Sequence, residues 1–186
     1  MEKTNKVKKA NKKMEIETVK VPSGVTVQVA NSEVVVTGSG KTFQIPFKDK
    51  MISIKLESDQ LGFSTVGKPT KPKVSSMRAI MSHVKNAFVG ISTGFSKKFQ
   101  VVYSHFPVSI ETKGKEVVIK NFLGEKLPRS AQIIGDTKVE VKGQDITVTG
   151  SDKYSVGQTG NNLMVATMIR KKDRRVFQDG IYPVIE

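Results

Sequence analysis

The sequence predicts an α+β protein: two tandem repeated domains, each a small, mostly antiparallel sheet with one packed helix. Three observations predict it. Short runs of alternating apolar residues stand between tight-turn residues, the mark of antiparallel strands. Once in each half this period of two gives way to helical spacing. The order strand, turn, strand, helix also recurs at a shift of 83 residues. The expected organisation is a basic tail 1–13, a first domain 14–98 and a second domain 99–186.

In the first domain Val25, Val27 and Val29 alternate with Thr26 and Gln28, as in a half-buried strand. Asn31-Ser32 marks a turn, Glu33 to Thr37 the return strand, and Gly38-Ser39-Gly40 its end. Phe43, Ile45 and Phe47 alternate again, followed by Ile52, Ile54 and Leu56. Met77, Ile80, Met81, Val84, Phe88 and Ile91 then fall at helical spacing, with Ser75 or Ser76 available as N-cap. Both methionines belong to the core face of that helix, and Arg78, Ser82 and Lys85 to the other. Ahead of it, Gly67 to Lys73 reads as a loop stiffened by Pro69 and Pro72, from which Lys68, Lys71 and Lys73 project.

The second domain repeats this order. Ser109 to Thr112 is a strand, Lys113-Gly114-Lys115 a turn, and Glu116 to Ile119 the return. Lys138 to Lys142 and Asp145 to Thr149 are strand-like, and a helix carries Leu163, Met164, Thr167 and Met168. At the 83-residue shift Glu33-Val34-Val35 falls on Glu116-Val117-Val118, and Ile80-Met81 on Leu163-Met164. A shift of 112 matches Val36-Thr37-Gly38-Ser39 with Val148-Thr149-Gly150-Ser151, yet it leaves the helices unmatched. The 83 shift keeps the order of all elements and is the repeat.

Charge narrows the function. The 186 residues carry 31 Lys and Arg against 17 Asp and Glu, a net charge of +14. Such an excess raises affinity and association rate for polyanions. No apolar run approaches the ~18 residues of a membrane span, and no signal-peptide segment opens the chain. Without cysteine there is no disulfide or thiolate metal site. A cytoplasmic nucleic-acid binder, with no membrane and no small-molecule substrate, is the expected class. The basic tail has six lysines in its thirteen residues and reads as flexible unless RNA or DNA orders it.

Between Arg170 and Tyr182 the chain reads Arg-Lys-Lys-Asp-Arg-Arg-Val-Phe-Gln-Asp-Gly-Ile-Tyr. Arg170, Lys171, Lys172, Arg174 and Arg175 place five cations in six positions, which is either a solvated face or a surface that holds polyanion. Gly157-Gln158-Thr159-Gly160, read as the approach to a helix, offers backbone N–H groups to a phosphate, or is a plain N-terminal turn. It lacks the ending of a nucleotide-binding loop. Only His83 and His105 exist, so no metal spacing arises, no catalytic residue is expected, and no cofactor is implied.

Thr149-Gly150-Ser151-Asp152-Lys153 with Val156-Gly157-Gln158, then Arg175 to Tyr182, resemble large-subunit ribosomal protein six, the universal two-domain L-six family. Asn86, Gly90, Thr93-Gly94-Phe95 and Lys97-Lys98 are similar to its stretch after the first helix. Phe106-Pro107-Val108 and Asn121 to Lys126 with Pro128-Arg129 agree as well. The resemblance runs from about Pro22 to the end, and its ending is of the archaeal and eukaryotic type. Val165, where that branch usually has Gln, is a departure at one helical position.

The resemblance implies a non-enzymatic protein of two sheet-and-helix copies. It implies binding to large-subunit rRNA, mainly through the second domain, near the sarcin–ricin loop and the stalk base. There the family supports the docking site of translation factors, so neighbouring ribosomal proteins and elongation factors are expected nearby. Charge and resemblance together give an expected RNA-binding set. It comprises Lys68, Lys71, Lys73, Lys97, Lys98, Lys126, Arg129, Lys153, Gly157, Gln158, Gly160, Asn161, Arg170, Lys171, Lys172, Arg174, Arg175 and Phe177. The alternative is a free-standing nucleic-acid-binding regulator built on the same duplicated domain.

Overall fold

The computed structural model describes residues 16–30, 32–47, 52–57, 60–103, 106–170, 172–173 and 175–184. The basic tail, Lys171, Arg174 and His105 lie outside them. The chain divides into two compact units, Met1–Phe88 and Val89–Glu186.

The first unit contains β1 (Ile16–Lys20), β2 (Thr26–Ala30), β3 (Glu33–Gly38), β4 (Lys41–Pro46), β5 (Ile52–Glu57) and β6 (Gln60–Thr65). They pair antiparallel in two sheets of order β2-β3-β4 and β1-β6-β5. Burial alternates along β3: Val34 and Val36 are buried, Val35 between them is half-buried, and Glu33 and Thr37 are exposed. Helix α1 (Lys71–Ser92) follows, with Met77, Val84, Ala87 and Phe88 buried and Met81 half-buried. Arg78 on its outer side reaches Glu17 of β1 at 2.9 Å.

This helix starts earlier than the sequence suggested. Its first i to i−4 bond runs from Val74 N–H to the Thr70 carbonyl at 3.0 Å, so Thr70 and not Ser75 or Ser76 stands at the cap. Pro72 is compatible with a first helical turn because the N–H it lacks has no partner there. The expected stiff loop is therefore shorter: Lys71 and Lys73 belong to the helix. At the other end Gly94, with φ +74°, stops the helix in the left-handed region, and its N–H returns to the Val89 carbonyl at 3.0 Å.

The second unit contains β7 (Phe95–Val102), β8 (Ser109–Lys113), β9 (Glu116–Lys120), a 3-10 turn (Phe122–Gly124), β10 (Arg129–Gln132), β11 (Lys138–Lys142), β12 (Asp145–Gly150), α2 (Lys153–Ala166) and β13 (Gly180–Pro183). Its sheets have orders β10-β9-β8 and β11-β12-β7-β13. The expected boundary after residue 98 falls inside β7.

The repeat is visible in the pairing. The sheet β2-β3-β4 corresponds to β8-β9-β10, and β1-β6-β5 to β7-β12-β11, with β13 added at the edge. Strand β8 begins 83 residues after β2, and β9 begins 83 residues after β3. The competing 112 shift superposes β3 on β12. Both are middle strands flanked on each side, so the same buried aliphatic pattern, Val34 and Val36 against Ile146 and Val148, recurs for a packing reason. Each repeat divides its strands between two small antiparallel sheets, with its helix following them in the chain.

Helix α2 covers both sheets of its unit, touching β10, β12, β7 and β13. Val156, Thr159, Gly160 and Leu163 make its buried stripe, at the i, i+3, i+4, i+7 spacing of one helical face. The helix ends at Ala166, so Thr167 caps it and Met168 lies beyond it. Thr167 Oγ1 donates to the Leu163 carbonyl and accepts the N–H of Ile181 at 3.1 Å, which ties the helix end to β13.

Candidate nucleic-acid interface

Among the described residues of the basic run after α2, its single acid, Asp173, organises the backbone that follows. Asp173 Oδ1 accepts the Arg175 N–H at 2.9 Å, and its carbonyl accepts Val176 N–H at 3.2 Å and Phe177 N–H at 2.9 Å. Asp173 thus shapes the backbone, and Arg170, Lys172 and Arg175 are left on the surface. The Lys172 ammonium lies 4.4 Å from the centre of the Phe177 ring, a cation–π contact. Phe177 itself is partly buried against the core of the second unit.

The outer face of α2 continues this surface. Lys153, Tyr154, Asn161 and Val165 are exposed on it, and a Cβ at Gly157 would meet nothing within 4 Å. Lys153 opens a helix of 14 residues, about 21 Å long, and Arg170 lies four residues beyond its end. Cations at both ends of a smooth face can follow a backbone of several phosphates.

The glycine-rich approach to this helix is absent, which corrects the expected phosphate cradle. Asp152 is the N-cap, and its carboxylate accepts Tyr154 N–H at 3.1 Å and Ser155 N–H at 3.0 Å. An acid already occupies the helix start, so a phosphate has no reason to settle there. Gly157 and Gly160 lie inside the helix. Gly160 faces the core, where a Cβ would run into the Phe99 ring. The two glycines should therefore separate in experiment. Gly160→Ala should destabilise the protein by about 1–3 kcal/mol through overpacking. Gly157→Ala should hold or raise the melting temperature, since alanine favours helix by roughly 0.5–1 kcal/mol. It should weaken RNA binding if the backbone approaches closely. Equal melting shifts for both variants would refute this assignment.

Other expected residues fall into distinct places. In the first unit Lys68 is exposed on its loop, whereas Lys73 in the first turn of α1 donates to the Val66 carbonyl at 2.7 Å. Lys97 and Lys98 are adjacent on β7 and so point to opposite sides of its sheet. Lys126 is exposed. Gln158 Nε2 donates to Asn162 Oδ1 at 3.0 Å, and Asn162 Nδ2 to the Gln132 carbonyl at 2.9 Å, so this pair fastens α2 to β10.

Arg129 departs most from its expected role. Its guanidinium makes a two-point ion pair with Glu125, at 2.6 and 2.8 Å. It also donates to the Ala166 carbonyl at 2.9 Å and lies 4.5 Å from the centre of the Phe122 ring. Its donors serve the end of α2, so it holds the platform that the basic turn leaves from. The hydrogen bond from Arg129 holds the Glu125 carboxyl below its ordinary 4.5. The folded state therefore binds this proton less readily than the unfolded chain. The pair's stabilisation is present at and above the ordinary carboxylate range and is lost as pH falls through the lowered value. Glu125→Gln should flatten the acid limb of a melting-temperature profile, with under about 1 kcal/mol of change at neutral pH. An unaltered acid limb would show that the pair contributes nothing.

Two depressions adjoin the basic turn and share Val165, Met168 and Ile169 as a common ridge. One, of about 280 Å³, is lined largely by apolar side chains that include Met164, Phe177 and Tyr182. The other, of about 520 Å³, carries Arg170, Lys172 and the Glu125–Arg129 pair. Tyr154, Tyr182 and Met168 were missed as surface residues. Exposed apolar side chains are invisible to a search for charge, although Tyr182 closes the terminal motif Arg175 to Tyr182. Among the described residues no group of three or more His, Asp or Glu is placed to hold a metal ion. No helix among them is long and apolar enough to cross a membrane.

Residues 106–180 match the family model of ribosomal protein L6. The large ribosomal subunit protein uL6 of Methanosphaera stadtmanae is 43% identical over 90% of this chain and 91% of its own length. That of Methanospirillum hungatei is 42% identical over 89% and 94%, and that of Methanococcus vannielii 38% over 90% and 92%. The matched stretch runs from the loop before β8 to the start of β13 and takes in α2 and the basic run after it. With relatives of this identity aligned along nearly their full length, the chain belongs to the ribosomal protein L6 family.

Proposed function

We propose that the protein is a structural, non-enzymatic constituent of the large ribosomal subunit in the cytoplasm, anchored to rRNA by the basic turn after α2. The observation that carries this reading is the arrangement of Arg170, Lys172 and Arg175. They stand exposed around Asp173, whose carboxylate and carbonyl hold the N–H groups of Arg175, Val176 and Phe177. Ordering the turn beforehand lowers the entropy lost when RNA binds. Arginine suits the task because its planar fork grips phosphate at two points. Following the family resemblance, the RNA contacted lies near the sarcin–ricin loop and the stalk base. Neighbouring ribosomal proteins then pack close by, and the site for translation factors is supported.

Co-sedimentation tests this reading. The protein should travel with large subunits through a high-salt wash. Recovery in the soluble fraction would favour the free-standing regulator instead.

A further inference from the structure

We propose that the apolar depression beside α2 receives one unstacked RNA base, whose neighbouring phosphate sits on Arg170 and Lys172. This rests on the RNA-binding reading above and adds a specific subsite to it.

The two adjoining depressions divide their chemistry as a nucleotide does. The smaller offers the side chains of Met164, Met168, Phe177 and Tyr182, with the exposed Asn161 also in its lining. Single-stranded RNA is recognised by splaying a base onto aromatic side chains while its polar edge finds hydrogen-bond partners. Asn161 supplies an amide with both donors and an acceptor for that edge. The larger depression, across the ridge of Val165, Met168 and Ile169, is where Arg170 and Lys172 stand. The Glu125 carboxylate in it is already paired with Arg129, so its charge is compensated. Cations beside an apolar slot complement a phosphate beside a base.

Two details fit this occupant. Gly180 has no side chain where a Cβ would come within 3.3 Å of the Tyr182 ring, so the tyrosine can lie flat over the strand. The Lys172 ammonium rests on the Phe177 ring at 4.4 Å. Without RNA the electron-rich ring face holds a cation. An arriving base takes the ring face, and the displaced ammonium pairs with the phosphate it brings.

The test uses the full chain and two fluorescein-labelled RNA hairpins, one with a single bulged nucleotide and one fully paired, titrated by anisotropy at one moderate salt concentration. Stacking tolerates any base, so the bulge sequence is not critical. The wild type should bind the bulged hairpin on the order of tenfold more tightly. Val165→Phe, which fills the groove from the exposed helix face, should reduce the bulged hairpin to the affinity of the paired one. Phe177→Leu keeps the apolar volume and removes the ring, and should lose most of the preference. Arg170→Ala should weaken both hairpins alike. A preference that survives Val165→Phe overturns the proposal. So does equal affinity for the two hairpins in the wild type, which would leave RNA binding standing and assign the groove to a side chain of a neighbouring protein. Failure of both hairpins to bind would remove the RNA-binding reading as well.

Discussion

Phe122→Ala should destabilise the second unit by about 3–5 kcal/mol, the cost of emptying a large aromatic site in a packed core. Phe122 is 2% exposed and belongs to the cluster formed by Phe99, Val117, Ile119 and Ile146. It is also the ring beneath the Arg129 guanidinium, which in turn holds the Ala166 carbonyl at the end of α2. The loss therefore combines a cavity with a weakened tie between the 3-10 turn and the helix. For a unit of roughly a hundred residues the melting temperature should fall by on the order of 10–20 °C. Denaturant melts of the two proteins give the comparison directly. A change below 1 kcal/mol would mean that the core closes over the vacated space and that Arg129 does not depend on the ring.

The second large effect concerns binding. Arg170→Ala with Arg175→Ala removes two exposed cations from the turn and leaves its Asp173-centred hydrogen bonds in place. Stability should stay within about 0.5 kcal/mol of the wild type, as for most surface substitutions. The slope of log affinity against log salt for a large-subunit rRNA fragment should shrink by roughly 0.7–0.9 per arginine lost. An unchanged slope would make the turn a solvated face with no phosphate contact.

The parts of the fold legible in the sequence were those where one physical pattern dominated. Strands β2, β11 and β12 alternate valine or isoleucine with polar residues, β3 and β9 are short aliphatic runs, and with β8 each is legible within a residue or two of its observed limits. The repeat was legible for the same reason, since corresponding strands of the two units meet the same burial. Strand β7 was hidden because Ser96-Lys97-Lys98 reads as surface, although Phe99 and Val101 are buried in the middle of a sheet. Strands β10 and β13 are four residues each, and β13 contains both Gly180 and Pro183.

Both helices begin earlier than their apolar stripes suggested. In α1 the proline that reads as a loop stiffener, Pro72, lies in the first helical turn. In α2 the two glycines that read as a phosphate loop lie within the helix, where Asp152 holds the cap and Gly160 makes room for Phe99. At the candidate interface, charge density pointed directly to Arg170, Lys172 and Arg175. It also pointed to Arg129, whose work is internal. That distinction depends on carbonyls 37 and 39 residues away in the chain, which no local pattern discloses.

Crosslinking in assembled large subunits tests the central claim most directly. After irradiation and digestion, peptides attached to rRNA are identified by mass. Crosslinks should concentrate on the segment from Val165 to Tyr182, with α2 residues such as Tyr154 and Asn161 joining them. Crosslinks confined to the Lys68–Lys73 stretch of the first unit, with none after α2, would contradict the assignment and make that stretch the anchor.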